Sequence, residues 1–343
     1  MKNPFLNSAE HRLRAFWRLL LVSGLNWIVV LILQTSMGII LGIMAVVNGV
    51  DISNSQNIQD TFTNNPYLPA LTAFVTLLAT GLVFLLASRL DRRPLKGFGF
   101  QFNSLWWRDF GFGLLLGAFL MALIFAVELA AGWIKITATL QTKIPGQSFW
   151  IGFLLSFLVF FCVGIYEEMT SRGYLLRNLA EGLRSKYISP KLAILAAYVL
   201  SSIIFGYLHA GNPNASIIST VFLMAAGLFL GLGFILTGEL AIPIGLHMSW
   251  NFFQGSVFGF PVSGLKLGDS LITIQQGGPD FITGGTFGPE AGLIGLAAII
   301  LGGLMIVLWL RMTRERAVIA QNLAVYTPAL PLKQTAEAPA AES

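Results

Sequence analysis

The chain has 343 residues, of which 55% are hydrophobic and only 11% are charged, and its formal net charge is +5. Because a soluble domain carries about 25% charged residues, this composition excludes an ordinary soluble protein and indicates a polytopic membrane protein. The single cysteine, Cys162, excludes an intrachain disulfide.

Eight apolar runs are long enough to cross a bilayer, which takes on the order of 20 residues in a helix. The first is long enough for a tilted helix, and the seventh is interrupted by Pro243, His247, Asn251 and Gln254. The predicted spans are 19–47, 67–87, 110–131, 149–166, 190–208, 215–236, 241–258 and 291–310. The sequence therefore predicts an all-α fold, a polytopic membrane helical bundle with about eight transmembrane helices.

The N-terminal segment combines basic residues with an apolar run, as a signal peptide does. The run is far longer than the signal-peptide core of about 7–15 residues. We therefore expect it to form the first membrane helix and to remain in the mature chain.

Lysine and arginine are distributed very unevenly between the predicted connections. In an eight-span topology, 18 of the 21 fall on one side, and only Lys135, Lys143 and Lys266 fall on the other. Cytoplasmic connections of membrane proteins carry the excess of these residues, so both termini are predicted to be cytoplasmic. Topology thus explains the positive charge, and no nucleic-acid partner is expected.

Six ionisable residues lie within or beside the apolar runs, where such residues are rare and usually functional. They are Glu128, Glu167, Glu168, Arg172, His209 and His247. Glu128 stands near the end of the third span and is expected at the membrane interface. The others fall into three short motifs. Each motif alone could merely join helices, but the clustering of all three favours a functional site.

Helical geometry predicts which of these side chains meet. Residues four apart share a helix face, whereas neighbours are turned by about 100°. Glu168 and Arg172 are therefore expected to pair, which leaves Glu167 without that partner. An unpaired carboxylate in a low-dielectric site suits a general base.

The same spacing relates His247 to Asn251 and Phe205 to His209. In the first pair, two polar groups are expected to point to one place. In the second, an aromatic ring is expected beside an imidazole.

Glu167 and His209 are predicted to face each other across a helical hairpin. Each lies 21 residues from Ile188, near which the chain must turn. Hydropathy instead puts the two residues near opposite edges of the membrane. We give more weight to their convergence, because basic residues nearby can line a wet cavity that enters the membrane. The active site is therefore expected in an intramembrane cavity whose depth the sequence leaves open.

Three motifs thus stand in order on successive apolar helices. They are Glu-Glu-x-x-x-Arg at 167–172, Phe-x-x-x-His at 205–209 and His-x-x-x-Asn at 247–251. In that order they resemble the CPBP family of CAAX-processing and bacteriocin-processing intramembrane proteases, also called the abortive-infection family. The motifs are similar to those of the type II CAAX prenyl endopeptidase. The resemblance covers about residues 149–258.

The resemblance implies that a peptide bond is hydrolysed inside the membrane. Two pairs of residues would do the chemistry: Glu167 with His209 would activate a water molecule, and His247 with Asn251 would stabilise the oxyanion. The supporting residues would be Glu168 and Arg172, which orient the catalytic helix, and Phe205, which walls the substrate cavity.

A metal site is an open alternative. Two histidines and a glutamate can ligate Zn²⁺ and leave a position for water, and the set here would be Glu167, His209 and His247. However, no His-Glu-x-x-His motif stands on one helix, and a glutamate mechanism without metal uses the same residues. We favour the mechanism that requires no cofactor, although the sequence does not exclude Zn²⁺.

Four segments are predicted along the chain. They are the N-terminal membrane helices of 1–148, the catalytic core of 149–258, an extracytoplasmic loop with the last span in 259–310, and a partly disordered cytoplasmic tail in 311–343. The expected partners are the lipid bilayer and a membrane-associated peptide or protein substrate, prenylated or not. The expected location is a prokaryotic plasma membrane, and the oligomeric state is left open.

Two other functions compete with proteolysis. A transporter or proton-coupled carrier would relay protons through Glu167 and His209, and broken, Gly-rich helices fit that class, but we find no internal repeat. A catalytically silent immunity or scaffold protein would keep the fold without turnover. Replacement of Glu167 by alanine separates these classes, because only a protease should lose its activity.

Overall fold

A bundle of membrane helices makes up most of the chain. The computed structural model describes residues 3–51, 53–54, 57, 65–144, 146–266, 268–315 and 317–326. In this described part, seven helices are long and apolar enough to cross a membrane, judged by length and composition. The protein is therefore an integral multi-pass membrane protein with the predicted fold. Most of the tail predicted to be disordered, from residue 327 onward, lies outside the described residues.

We label the main helices α1 to α8 and the short strands β1 to β4, in chain order. The helices are α1 Ala15–Val47, α2 Leu68–Leu90, α3 Ser104–Ala130, α4 Phe149–Leu183, α5 Pro190–Leu208, α6 Ile217–Thr237, α7 Ala241–Phe252 and α8 Leu293–Arg314. The strands are β1 Leu6–Asn7, β2 Arg12–Leu13, β3 Ile134–Gln141 and β4 Ser270–Gln276. Short helical turns cover Leu95–Phe98, Asp280–Thr283, Pro289–Ala291 and Gln321–Ala324.

The predicted seventh span is shorter than the others and lies inside the bundle. Helix α7 has 12 residues and continues as a π-helix over Phe253–Val257. Every residue from Ala241 to Trp250 is buried. Because protein rather than lipid surrounds α7, it can carry polar side chains along its length.

Close packing of α3 on α7 fixes the position of this central helix. A Cβ at Gly113 would lie 2.6 Å from the carbonyl oxygen of Ile242, and one at Gly117 would lie 2.7 Å from that of Leu246. On the facing helix, Gly245 lies against the backbone of Phe110. Small residues four apart allow two membrane helices to approach this closely. The α3–α7 pair is therefore a rigid support for the residues that α7 carries.

Helix α4 extends well beyond the predicted span of 149–166. It is one helix of 35 residues that ends at Leu183, and its central part, Met169–Leu176, is a π-helix. The hydropathy prediction ended where charged residues begin. Glu168 and Arg172 are buried within the protein, with 0% and 1% exposure, so these charges do not end the helix.

Two antiparallel pairs of strands, absent from the predicted all-α fold, lie outside the helical bundle. Strand β3 pairs with β4, in a register that sets Ile134 opposite Gln276, and the short β1 pairs with β2. The end of the bundle that carries β3 and β4 is called the sheet end below.

The opposite end, called the basic end below, joins the two described termini. Glu181 near the end of α4 pairs with Arg12 and Arg93. Tyr326 packs against the Arg12 guanidinium, whose carbon lies 3.5 Å from the ring centroid. Arg314 at the end of α8 pairs with Asp109 and with Glu239. The described segments with most of the basic residues therefore meet at one end, as the predicted alternation of connections requires.

Candidate active site

Glu168 is the centre of the polar cluster. Its side chain is fully buried, and its Oε1 accepts one hydrogen bond of 2.9 Å from Arg172 Nη1 and another of 2.9 Å from His247 Nδ1. The pairing with Arg172 is the one that the i, i+4 spacing predicts. The bond to His247 comes from a residue 79 positions away, so it depends on the packing of α4 against α7.

Arg172 connects three helices from within the π-helical part of α4. Its Nη2 donates a 2.9 Å hydrogen bond to the carbonyl oxygen of Gly227 on α6. Its guanidinium carbon lies 4.5 Å from the centroid of the Phe205 ring on α5, a cation–π contact. A π-helix inserts an extra residue into the helical turn and is frequent at functional sites. Arg172 therefore holds the glutamate-bearing helix against its neighbours.

Glu167, by contrast, has no partner of this kind. Its side chain is 23% exposed, and its Oε2 lies 3.9 Å from His247 Nε2, too far for a hydrogen bond. Among the described residues, this oxygen has no hydrogen-bond partner. His247 thus lies between two carboxylates, bonded to Glu168 through Nδ1 and facing Glu167 with Nε2.

His209 caps the end of α5, and its ring is oriented by the backbone. Its Nδ1 lies 2.8 Å from the carbonyl oxygen of Phe205, so in the neutral ring Nδ1 carries the proton and Nε2 keeps its lone pair. The Phe205 ring centroid lies 4.8 Å from that of His209 and 6.2 Å from that of His247. Phe205 therefore packs beside both imidazoles at the cavity wall.

A cavity of about 830 Å³ brings these groups together. Glu167, Phe205, His209, His247 and Asn251 all line it. Glu167 and His209 therefore line the same cavity, while their direct approach across the hairpin stays a prediction. Glu168 and Arg172 do not line it and lie behind its wall, where Glu168 bonds both Arg172 and His247.

Another buried carboxylate, which the sequence analysis did not single out, also lines the cavity. Glu290, in the turn before α8, accepts hydrogen bonds from the backbone nitrogen of Ser263 at 2.5 Å and from Gln254. Burial raises the pKa of Glu290 to about 7, and these hydrogen bonds partly offset the rise. A glutamate beside an apolar run is a weak sequence signal, and the fold was needed to find it.

Glu128, expected at the membrane interface, is buried in the last turn of α3. Gln276 of β4 donates a 3.4 Å hydrogen bond to its Oε2. Glu128 does not line the cavity that contains Glu167. Its hydrogen bond to Gln276 instead joins α3 to β4.

The side chains do not fit a metal site. In the described part of the chain, no group of three or more His, Cys, Asp or Glu is arranged to hold a metal ion. The possible zinc ligands Glu167, His209 and His247 line one cavity but do not form such a group. We therefore derive no chemical step through a metal.

One family comparison covers the region that holds this site. The model of the family described as type II CAAX prenyl endopeptidase Rce1-like matches residues 148–253. This stretch runs from the start of α4 to the end of α7 and contains the seven predicted site residues, so the resemblance inferred from the three motifs is confirmed. No curated protein and no solved structure matches the chain.

Proposed function

From the family match over residues 148–253, we propose that the protein is an intramembrane endopeptidase. It hydrolyses a peptide bond of a membrane-associated peptide or protein by a glutamate mechanism. The observation that carries this proposal is Glu167, a carboxylate without a hydrogen-bond partner among the described residues, which lines a cavity with His209, His247 and Asn251.

The attack on the scissile bond uses Glu167 and His209. Glu167 takes a proton from a water molecule while His209 Nε2 orients that water. The oxygen of the water forms a bond to the scissile carbonyl carbon. Glu167 then gives the proton to the departing amine as the carbon–nitrogen bond breaks. The hydrogen bond from His209 Nδ1 to the Phe205 carbonyl supports this role, because it leaves Nε2 free to accept.

The developing oxyanion is stabilised by His247 and Asn251. Both line the cavity, and both can donate a hydrogen bond from α7. The bond from His247 Nδ1 to Glu168 directs Nε2 toward the cavity. In this mechanism His247 acts as an imidazolium ion, so Nδ1 donates to Glu168 while Nε2 donates to the oxyanion beside the amide of Asn251. Glu168 and Arg172 act as positioning residues behind the cavity wall.

The test of this proposal compares Glu167→Gln with the wild type in lipid nanodiscs. The probe is an internally quenched peptide of about 15 residues that ends in a CAAX sequence, prepared with and without a farnesyl group. Glutamine fills nearly the same volume but cannot take up the proton, so we expect cleavage to be lost while the unfolding temperature stays unchanged. Glu315→Gln, an exposed change at the basic end, serves as the matched control.

A second measurement identifies the natural substrate. Quantitative membrane proteomics of cells with the wild type or with Glu167→Gln should reveal peptides that accumulate uncut only in the variant. If Glu167→Gln retains full activity, or full biological function, the glutamate mechanism is wrong. In that case the carrier or scaffold alternatives gain support.

A further inference from the structure

The cavity continues far beyond the catalytic groups. Its wall includes α1 residues from Val22 to Gln34 and α2 residues from Leu68 to Phe84. Both helices lie outside the stretch 148–253 that matches the family. The groove between α1, α2 and α4 is therefore a feature of this chain that the family comparison does not explain.

A polar stripe follows this groove through otherwise apolar helices. Its members, four or eight residues apart on one helix face, are Asn26 and Gln34 on α1 and Thr72, Thr76 and Thr80 on α2. Gln34 Nε2 donates a 3.2 Å hydrogen bond to Thr76 Oγ1 and so joins α1 to α2. The stripe is thus continuous across the two helices.

Two polar atoms of the stripe have no hydrogen-bond partner in the part of the chain that the structure describes. The Oδ1 atom of Asn26 and the Oγ1 atom of Thr80 are buried without a hydrogen bond among the described residues, and Thr80 is fully buried. A buried polar group without a partner destabilises the folded state. Stabilisation of the fold therefore does not account for these two atoms, whereas a ligand that offers hydrogen bonds in the groove does.

The spacing of the stripe fits an extended polypeptide. Residues four apart in an α-helix are about 6 Å apart along its axis. In an extended chain, peptide groups that point to the same side recur about every 6.6 Å. A peptide inside a membrane must also find partners for its backbone N–H and C=O groups, since lipid offers none. A lipid acyl chain, in contrast, has no donor or acceptor that could hydrogen-bond to hydroxyl and amide groups.

We propose that the groove between α1, α2 and α4 is a substrate subsite, in which Asn26 and Thr80 hydrogen-bond the backbone of an extended peptide whose scissile bond lies near Glu167. This inference rests on the proposed protease function. The subsite recognises peptide backbone rather than particular side chains, so it selects substrates that are unfolded within the membrane.

The first experiment measures cleavage kinetics of the quenched CAAX peptide by the double variant Asn26→Leu/Thr80→Val. Both changes keep the approximate shape of the side chains and remove their hydrogen-bonding atoms. We expect KM to rise about three- to tenfold for each hydrogen bond lost, while kcat changes less than twofold. Thr35→Val, an exposed change on α1 outside the cavity, is the control and should leave both constants unchanged.

The second experiment locates the peptide without requiring turnover. The same peptide carrying a diazirine amino acid is photo-crosslinked to the Glu167→Gln variant, and the crosslinks are mapped by mass spectrometry. Crosslinks to residues 22–34 and 68–84 that disappear in Glu167→Gln/Asn26→Leu/Thr80→Val are expected. Absence of crosslinks, or crosslinks confined to other helices, would overturn the subsite.

The two proposals fail in different ways. Crosslinks in the groove without Glu167-dependent cleavage would retain the peptide subsite and reject the protease. Glu167-dependent cleavage without crosslinks in the groove would support the protease and reject the peptide subsite. If the double variant lowers kcat and leaves KM unchanged, the stripe conducts water to the site, and the subsite is wrong.

Discussion

At the scale of single residues, one carboxylate oxygen organises the site. Oε1 of Glu168 accepts from both Arg172 and His247, and all three side chains are buried. A buried charge is tolerated only while its partners satisfy it. The position of His247 in the cavity therefore depends on a residue that does not itself line the cavity.

Removal of the arginine tests this dependence. Arg172→Ala should lower the free energy of unfolding by about 3–5 kcal/mol, because Glu168 is left as a buried charge without its cationic partner. Denaturant unfolding in detergent measures the change. Adding Glu168→Gln should restore part of the loss, and the exposed Arg184→Ala should have little effect. An Arg172→Ala protein as stable as the wild type would contradict this account of the pair.

The kinetics of an Asn251 variant distinguish stabilisation of the transition state from binding of the substrate. Loss of one oxyanion donor typically slows catalysis by about 10²–10³-fold. We expect Asn251→Ala to lower kcat by that factor and to leave KM nearly unchanged, measured with the quenched peptide. A large rise in KM with a normal kcat would instead make Asn251 a ground-state contact of the substrate.

Glu290 should give the stability of the protein a pH dependence near neutrality. Burial raises its pKa to about 7 from the ordinary 4.5. Because the folded state holds the proton more tightly than the unfolded state, its contribution is complete below about pH 4.5. The contribution is lost as the pH rises through 7, and the loss reaches about 3 kcal/mol.

Unfolding measured from pH 5 to 8.5 checks this prediction. Glu290→Gln should remove that part of the pH dependence, since glutamine does not titrate. Asp280→Asn, an exposed change in the same loop region, should preserve it. A wild-type and a Glu290→Gln curve that stay parallel over this range would show that Glu290 does not titrate there.

At the scale of elements, the α3–α7 contact fixes the position of α7, the helix that carries His247 and Asn251. Gly117→Ala places a methyl group 2.7 Å from the backbone nitrogen of Trp250 and from the carbonyl oxygen of Leu246. We expect a loss of about 1–3 kcal/mol in unfolding free energy and a lower kcat, because α7 carries His247 and Asn251. Activity and thermal unfolding in detergent measure both effects.

Helix α3, which carries Gly117, also offers a matched control. A Cβ at Gly111 would have no atom within 4 Å, so Gly111→Ala should be neutral or stabilising by up to about 1 kcal/mol through helix propensity. Equal behaviour of the two alanine variants would mean that the close approach at Gly117 is not needed.

The elements also show which features a single sequence can predict. The Glu168–Arg172 pair follows from helical spacing alone. The contact of His247 with Glu168 does not, because it requires α4 and α7 to pack together. The hydropathy prediction ended α4 too early, because it counts every charged residue as exposed to solvent, even one that is buried in the protein. It also missed β3, where apolar residues alternate with Lys135 and two threonines, because a window average hides a period of two.

At the scale of the whole molecule, the unequal distribution of charge predicts the orientation in the membrane. The basic end joins the N-terminal segment, the loop after α2, the end of α4 and the residues after α8. The sheet end contains Lys135, Lys143 and Lys266. Because cytoplasmic connections carry the excess of lysine and arginine, we propose that the basic end faces the cytoplasm.

Cysteine labelling in intact cells tests this orientation. Cys162 is fully buried, so new single cysteines can be introduced with little background. Thr139→Cys on β3 is exposed at the sheet end and should react with a membrane-impermeant maleimide. Tyr187→Cys, at a position 82% exposed at the basic end, should react only after the membrane is permeabilised. The reverse labelling pattern would show that the sheet end, and not the basic end, faces the cytoplasm.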